Sequence, residues 1–250
     1  MAKNQKRTWR QQFMDNFKIL TRSHDKWEVW SDFVHLAACT ISNVFDKRFY
    51  DQREQRYLEI IQKYNKEEAA LFAELLAITI IALDENPAQD FLGQIHQQEL
   101  ELGNYANGSF YTPYHVGEMM AELGAMDVMP EVLEEEYISV NDCCCGAGCL
   151  LIAFANTLLK HKVNYQTKVL FVAQDIDFTA AMACYIQLSF LGCAGYVVVG
   201  NSLSNAEPPP ESIWYTPFYF RNIWVDRRRD AHWKHMFRIL LTNGVEKTPM

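Results

Sequence analysis

Apolar positions recur at helical spacing through the first hundred residues. Trp27, Trp30, Phe33, Val34, Ala37 and Ala38 repeat at intervals of three and four, which predicts an amphipathic helix whose stripe faces a core. The same spacing predicts helices over Gln52–Tyr64 and Lys66–Leu83. The dipeptide Asn86-Pro87 ends the third, and Ala88–Leu102 predicts a fourth. Up to Leu102 the sole proline is Pro87 and the sole glycine Gly93, so residues 1–102 are expected to form a helical accessory domain.

The pattern then changes. Gly103–Pro113 is rich in Gly, Asn, Tyr and Thr and predicts a loop, followed by a short helix from Val116 to Leu123 with Gly124 near its end. From Tyr137 onward, short β-branched runs alternate with longer helical stretches. Strands are expected at Tyr137–Val140, Val169–Ala173 and Tyr196–Val199, and helices at Cys149–His161 and Thr179–Leu191. Strand-helix-strand order predicts a parallel sheet with helices on its faces, so residues 103–250 read as an α/β domain. Ligands of such sheets bind at the carboxyl ends of the strands.

Composition narrows the classes. With 49% apolar and 22% charged residues the chain can bury a core and is not a disordered tail. A net charge of −8 argues against a strong whole-molecule attraction for nucleic acid, so DNA contact would be weak alone and would need a local basic patch or a basic partner. The seven cysteines are odd in number, and Cys143, Cys144 and Cys145 are consecutive, which fits a reducing cytoplasm rather than a disulfide framework. No CxxC pair exists, and no metal site is expected. Met1–Arg10 is polar and basic without the apolar core of a signal peptide, and the apolar run Leu75–Leu83 is too short to span a bilayer.

Candidate chemistry gathers at the three strand ends. The first strand runs into Asp142-Cys143-Cys144-Cys145-Gly146-Ala147-Gly148 and then a helix. Gly146 and Gly148 permit a tight turn and close approach of a ligand to the backbone, and the helix behind them offers unpaired N–H groups. Asp142 can accept from an ammonium or an ordered water. A G-x-G turn by itself serves equally as a plain strand-to-helix turn. The second strand ends in Gln174-Asp175-Ile176-Asp177, where a carboxylate can accept from both hydroxyls of a ribose, or cap the next helix. The third ends in Gly200-Asn201-Ser202-Leu203, where a short polar side chain can meet an adenine amino group. Three polar tips on successive parallel strands suggest a bound nucleoside.

These segments resemble the motifs of the N6-adenine DNA methyltransferase family, most of all the modification subunits of type I restriction-modification systems. Phe110-Tyr111-Thr112-Pro113 resembles the motif that in that family packs on the methionine end of S-adenosylmethionine (SAM). Asp142–Gly148 is similar to the family's D-P-x-C-G-[ST]-G turn, with Cys145 at its cysteine, Cys143 in place of proline and Ala147 in place of the hydroxyl residue. Asp175 and Asp177 match the two acids of E-[IL]-D, and Gly200–Leu203 resembles G-D-S-L with Asn201 in place of the aspartate. The resemblance covers about residues 105–203. It implies a SAM-dependent methyltransferase (Rossmann-like) parallel sheet, SAM as cofactor held by Phe110, Tyr111, Thr112, Pro113, Asp142, Cys145, Gly146, Gly148, Asp175, Asp177 and Asn201, and DNA and a specificity subunit as partners.

The chain departs from the family after Leu203. The [ND]-P-P-[FY] tetrapeptide, which positions the target amine and stacks the flipped base, is absent. Tyr215-Thr216-Pro217-Phe218 is its degenerate counterpart, which makes Thr216, Pro217 and Phe218 the candidate catalytic residues. The sheet is expected to be incomplete, since the family's sheet has about three further strands. Arg221–Leu241 predicts a helix or hairpin carrying Arg227-Arg228-Arg229, Trp233, Lys234 and His235, either a phosphate or partner contact or a solvated face. Three functions follow: an adenine-N6 DNA methyltransferase of restriction-modification type, a SAM-binding regulatory or assembly subunit derived from one, without catalysis, or, with less support, methylation of another substrate such as RNA or protein.

Overall fold

A computed structural model describes residues 7–99, 112–204 and 206–229. Side-chain caps set the starts of the first helices. In α1 (Trp9–Leu20), Thr8 accepts from the backbone of Gln11 while the Gln11 side chain accepts from the Thr8 backbone. In α2 (Lys26–Phe45), Asp25 accepts from the N–H groups of Trp27 and Glu28. After α3 (Tyr50–Ile61), α4 (Lys66–Glu85) opens with a reciprocal Asn65–Glu68 cap. α1 is an element beyond those predicted above, and its buried Phe13, Met14, Phe17 and Leu20 repeat at helical spacing. The predicted fourth helix is a short α5 (Phe91–Gln94) followed by a wider π turn over Ile95–Glu99.

The chain resumes with α6 (Tyr114–Glu134), far longer than the Val116–Leu123 expected from the sequence. Gly124 does not end it, because Gly117, Ala121, Ala125 and Val132 make one buried face across the whole length. Pro130 lies inside and cannot donate to the preceding turn. Then follow β1 (Ile138–Asp142), α7 (Cys149–Lys160), α8 (Tyr165–Lys168), β2 (Val169–Asp175), α9 (Phe178–Phe190), β3 (Gly195–Val199) and β4 (Ile213–Tyr215). A 3-10 turn over Pro217–Phe220 and a helical stretch over residues 222–229 complete the described chain.

The sheet order is β1-β2-β3-β4, with β1, β2 and β3 parallel. β4 runs antiparallel to β3, pairing Tyr196 with Tyr215 and Val198 with Ile213. Among the described residues β1 therefore has a neighbour on one side only. Buried apolar side chains form one contiguous cluster running from Phe13 and Trp30 through Phe91 to Phe171, Tyr185 and Trp214, so the helical half and the sheet share a core. In the predicted aromatic stripe, Trp30 and Phe33 are buried, whereas Trp27 is 44% exposed.

Arg53 ties the two halves together. Its buried guanidinium donates to Ser42 and Asp46 and to the Ile213 carbonyl of β4, and lies 4.0 Å over the Trp214 ring. Arg227 fastens the last described helical stretch to the α/β half. It is buried rather than on a solvated face, donates to the Glu136 side chain and carbonyl and to the Thr167 carbonyl, and stacks on Trp224 and Tyr137. Arg228 lies over the Tyr219 ring, and Arg229 is exposed beside Asp226. Trp233, Lys234 and His235 lie outside the described residues. Among the described residues, no helix is long and apolar enough to cross a membrane.

Candidate functional site

The turn from β1 to α7 is built by glycine and backbone hydrogen bonds. Gly146 has φ +53° and Gly148 φ +94°, conformations that residues with a Cβ rarely adopt. At Gly148 a Cβ would also stand 2.8 Å from the Cys184 sulfur of α9, so the turn lies directly on that helix. Cys145 is buried there, and its contact with Cys184 and burial together hold the Cys184 thiol well above its ordinary value. Cys143 and Cys144 are exposed.

The three strand tips are joined to one another. The Cys145 N–H donates to the Gln174 carbonyl at 2.9 Å, and the Gly146 N–H to Asp175 Oδ2 at 2.8 Å. Asp175 Oδ1 accepts from the Asp177 N–H at 2.9 Å. The Gly200 N–H reaches the Asp175 carbonyl at 2.9 Å, and Gln174 Nε2 reaches the Gly200 carbonyl at 3.2 Å. Asp142, Gly146, Asp175 and Gly200 are half-buried and Asn201 is exposed. Asp142 Oδ1 accepts from Cys144, yet burial raises its carboxyl above the usual carboxylate range, helped by the negative charge of Asp175. Asp177 caps α9 through Thr179 and Ala180, so of the two acids at and after the end of β2 the second serves the helix and the first faces the turn. Asn201 Oδ1 accepts from Leu203 in a local turn.

A buried clamp supports the turn from below. Gln187 of α9 donates to Asp90 Oδ1 at 2.7 Å and to the Ala147 carbonyl at 2.8 Å, and accepts from the Leu92 N–H. Asp90 also accepts from Gly93, and burial raises its carboxyl. The sequence reading missed this pair. The signal was a lone Gln inside the mostly apolar Thr179–Leu191 run, and an Asp three residues after the Asn86-Pro87 break.

Not every expected residue reaches the site. Phe110 and Tyr111 lie outside the described residues. Thr112 and Pro113 lead into α6, which packs so closely on α7 that a Cβ on Gly117 would stand 3.0 Å from the Cys149 sulfur. Cys149 is the first residue of α7, so this entry lies near the turn. Thr216, Pro217 and Phe218 are elsewhere. Antiparallel pairing sets Thr216 beside Gly195, at the amino end of β3, about 13 Å down the strand from its tip. Thr216 is fully buried, and its hydroxyl donates to the Cys193 carbonyl and accepts from the Gly195 N–H. Phe218 packs against Gly192. The expectation that these three hold a target base at the strand tips does not fit this placement. β4 turned back along β3 instead of running parallel, and the Thr216 hydroxyl is spent on a backbone clasp.

A parallel sheet with a glycine turn at the first strand, a carboxylate at the second and a polar tip at the third is the arrangement of a nucleoside-binding α/β protein. The chain belongs to the N-6 DNA methylase family, whose sequence pattern matches residues 88–237, more than half of its length. Among curated proteins none matches. A solved structure from Listeria monocytogenes, described as a class I S-adenosylmethionine-dependent methyltransferase, is similar at 16% identity with a TM-score of 0.45 over 80% of this chain. This chain spans 54% of the length of that one.

The family's cofactor is SAM, and the residues present suit it. Asp175 uses one lone pair on each oxygen for backbone donors and has others open, enough for two hydroxyl donors. Gly146 leaves backbone, not side chain, at the turn. Asp142 offers a second carboxyl oxygen to an ammonium. Among the described residues no cluster of three or more His, Cys, Asp or Glu could hold a metal ion.

Proposed function

We propose that this chain is the cofactor-binding component of a SAM-dependent adenine-N6 DNA methyltransferase of restriction-modification type, acting in the cytoplasm with a specificity or other protein subunit. The observation that carries this reading is the Gly146–Asp175 hydrogen bond with its extension to Gly200, which joins three strand tips into one cradle. Asp175 would accept from the ribose hydroxyls, Asp142 from the ammonium or its bridging water, and Asn201 would meet the adenine edge. Phe110, Tyr111, Thr112 and Pro113 would close over the methionine end, and Cys145 would pack beneath the turn. SAM supplies an electrophilic methyl on a sulfonium, so transfer is governed by positioning of the amine and needs no metal.

The placement of Thr216, Pro217 and Phe218 favours a second reading. A chain that binds SAM without an amine-positioning group at the strand tips would be a regulatory or assembly subunit. Incubation with SAM labelled at the methyl group and unmethylated DNA, followed by nucleoside analysis, separates the two. Label in N6-methyladenine supports the first reading. Cofactor binding without transfer supports the second. Label in another base, in RNA or in protein overturns the adenine assignment.

A further inference from the structure

The backbone of the β1–α7 turn has the most freedom around Ala147. That residue stands between Gly146 at φ +53° and Gly148 at φ +94°, and glycine on both sides leaves the peptides between them weakly restrained. The N–H of Gly146 is held by Asp175, and that of Gly148 by the Cys145 carbonyl. The Ala147 carbonyl is held from outside the turn, by Gln187 Nε2 at 2.8 Å.

Gln187 is fully buried, and its amide is committed on every side. Both hydrogens of Nε2 are used, one on Ala147 and one on Asp90 Oδ1, while Oε1 accepts from the Leu92 N–H. From there the chain of hydrogen bonds runs into residues 87–93. Asp90 Oδ1 also accepts from the Gly93 N–H at 2.9 Å. Gly93 is glycine for a packing reason, because a Cβ there would stand 2.1 Å from Asp90 Oδ2. The same segment is fastened to α7, which starts at the turn, by Asn156 donating to the Pro87 carbonyl at 2.8 Å. The family's sequence pattern begins at residue 88 and so takes in Asp90 and Gly93.

Asp90 is 1% exposed and forms no ion pair among the described residues. Burying a carboxyl and an amide costs more than burying apolar side chains of the same shape. Apolar side chains would fill this space, but they would leave the Ala147 peptide free to turn. A directional hydrogen-bonded chain fixes it in one orientation.

We propose that Gln187 and Asp90 are positioning residues of the cofactor site: they lock the Ala147 peptide, so that the Asp142–Gly148 turn is preformed for the methionine end of SAM and residues 87–93 are part of that site. A turn ordered beforehand spares the cofactor the cost of ordering it. The benefit to SAM rests on the reading under Proposed function, whereas the locking of the turn does not.

Gln187→Met keeps a similar volume and removes the donors. Near-ultraviolet circular dichroism checks that the variant is folded, hydrogen exchange over residues 142–148 reads the turn without ligand, and calorimetric titration reads SAM. Thr216→Val loosens a buried clasp at the amino end of β3 and is the control for lost stability alone. In folded Gln187→Met, exchange over 142–148 is expected to quicken and SAM to bind about tenfold more weakly; in Thr216→Val neither changes. Asp90→Asn keeps the acceptor and should stay close to the unmutated protein in both readings, while Asp90→Ala follows Gln187→Met. Gly93→Ala displaces the Asp90 carboxyl without touching the turn. It should act in the same direction, and it decides the question should Gln187→Met not fold. Unchanged exchange in folded Gln187→Met, an equal effect of Thr216→Val, or an Asp90→Asn as impaired as Asp90→Ala would each overturn the clamp. Quicker exchange with unchanged SAM affinity would overturn its service to the cofactor. An unmutated chain that binds no SAM would sink the reading under Proposed function and leave the exchange result to decide the clamp.

Discussion

Asp175 holds a backbone N–H on each carboxylate oxygen, one from the β1–α7 turn and one from its own strand end. It therefore shapes the cradle as well as, under the proposed function, accepting from a ribose. Asp175→Ala is expected to weaken SAM by tenfold or more, about 1.4 kcal/mol, as read by calorimetric titration. Asp142 adds a pH dependence. Burial raises its carboxyl, so it takes up a proton at a higher pH than an ordinary aspartate. Its carboxylate is the form that accepts from an ammonium, so SAM affinity should fall as pH drops through that raised value, and Asp142→Asn should flatten the profile. Titrations between pH 4 and 8 check this; identical slopes in both proteins would remove Asp142 from the cofactor's ammonium. Gly146, Gly148 and Asp175 were legible from the sequence because a strand-turn-helix leaves a fixed spacing. The Asp90–Gln187 clamp was not, because its partners lie 97 residues apart and only the tertiary fold brings them together.

At the scale of elements, the direction of β4 decides what the Tyr215–Phe218 segment can do. A tetrapeptide match carries no information about strand direction, and three residues of β4 are too few for a period to show. The antiparallel pairing takes Thr216 to the amino end of β3, where its hydroxyl satisfies two backbone groups. Thr216→Val should cost about 1–3 kcal/mol of stability by orphaning them, and Phe218→Ala should leave SAM affinity unchanged. Chemical denaturation and calorimetry together check both; weakened SAM binding in Phe218→Ala would return that ring to the site. The length of α6 was illegible for a related reason. Gly124 and Pro130 are local signals for a break, and packing along the whole buried face overrides them. The buried clamp gives its own signature. Because burial raises Asp90 in the folded state, its contribution to stability is present at low pH and is lost as pH rises through the raised value. Asp90→Asn should therefore reduce the fall in stability between acid and neutral pH.

For the whole molecule, the alternation of strands and helices announced a parallel sheet, and the structure supplies three parallel strands in that order. It also shows a core shared with the N-terminal helices, which composition alone did not reveal, since a helical region with its own apolar stripes reads as self-contained. Net charge sets the expectation for DNA. At −8 the chain alone should bind duplex no more tightly than the non-specific range, about 10⁻⁴–10⁻⁶ M, as read by fluorescence anisotropy. Calorimetric titration of the purified chain with SAM, beside Asp175→Ala, reads the nucleoside cradle at the three strand tips. Saturable one-site binding to the chain is expected, weakened at least tenfold in the variant. Equal affinity in the two proteins, or no heat of binding in either, would contradict it.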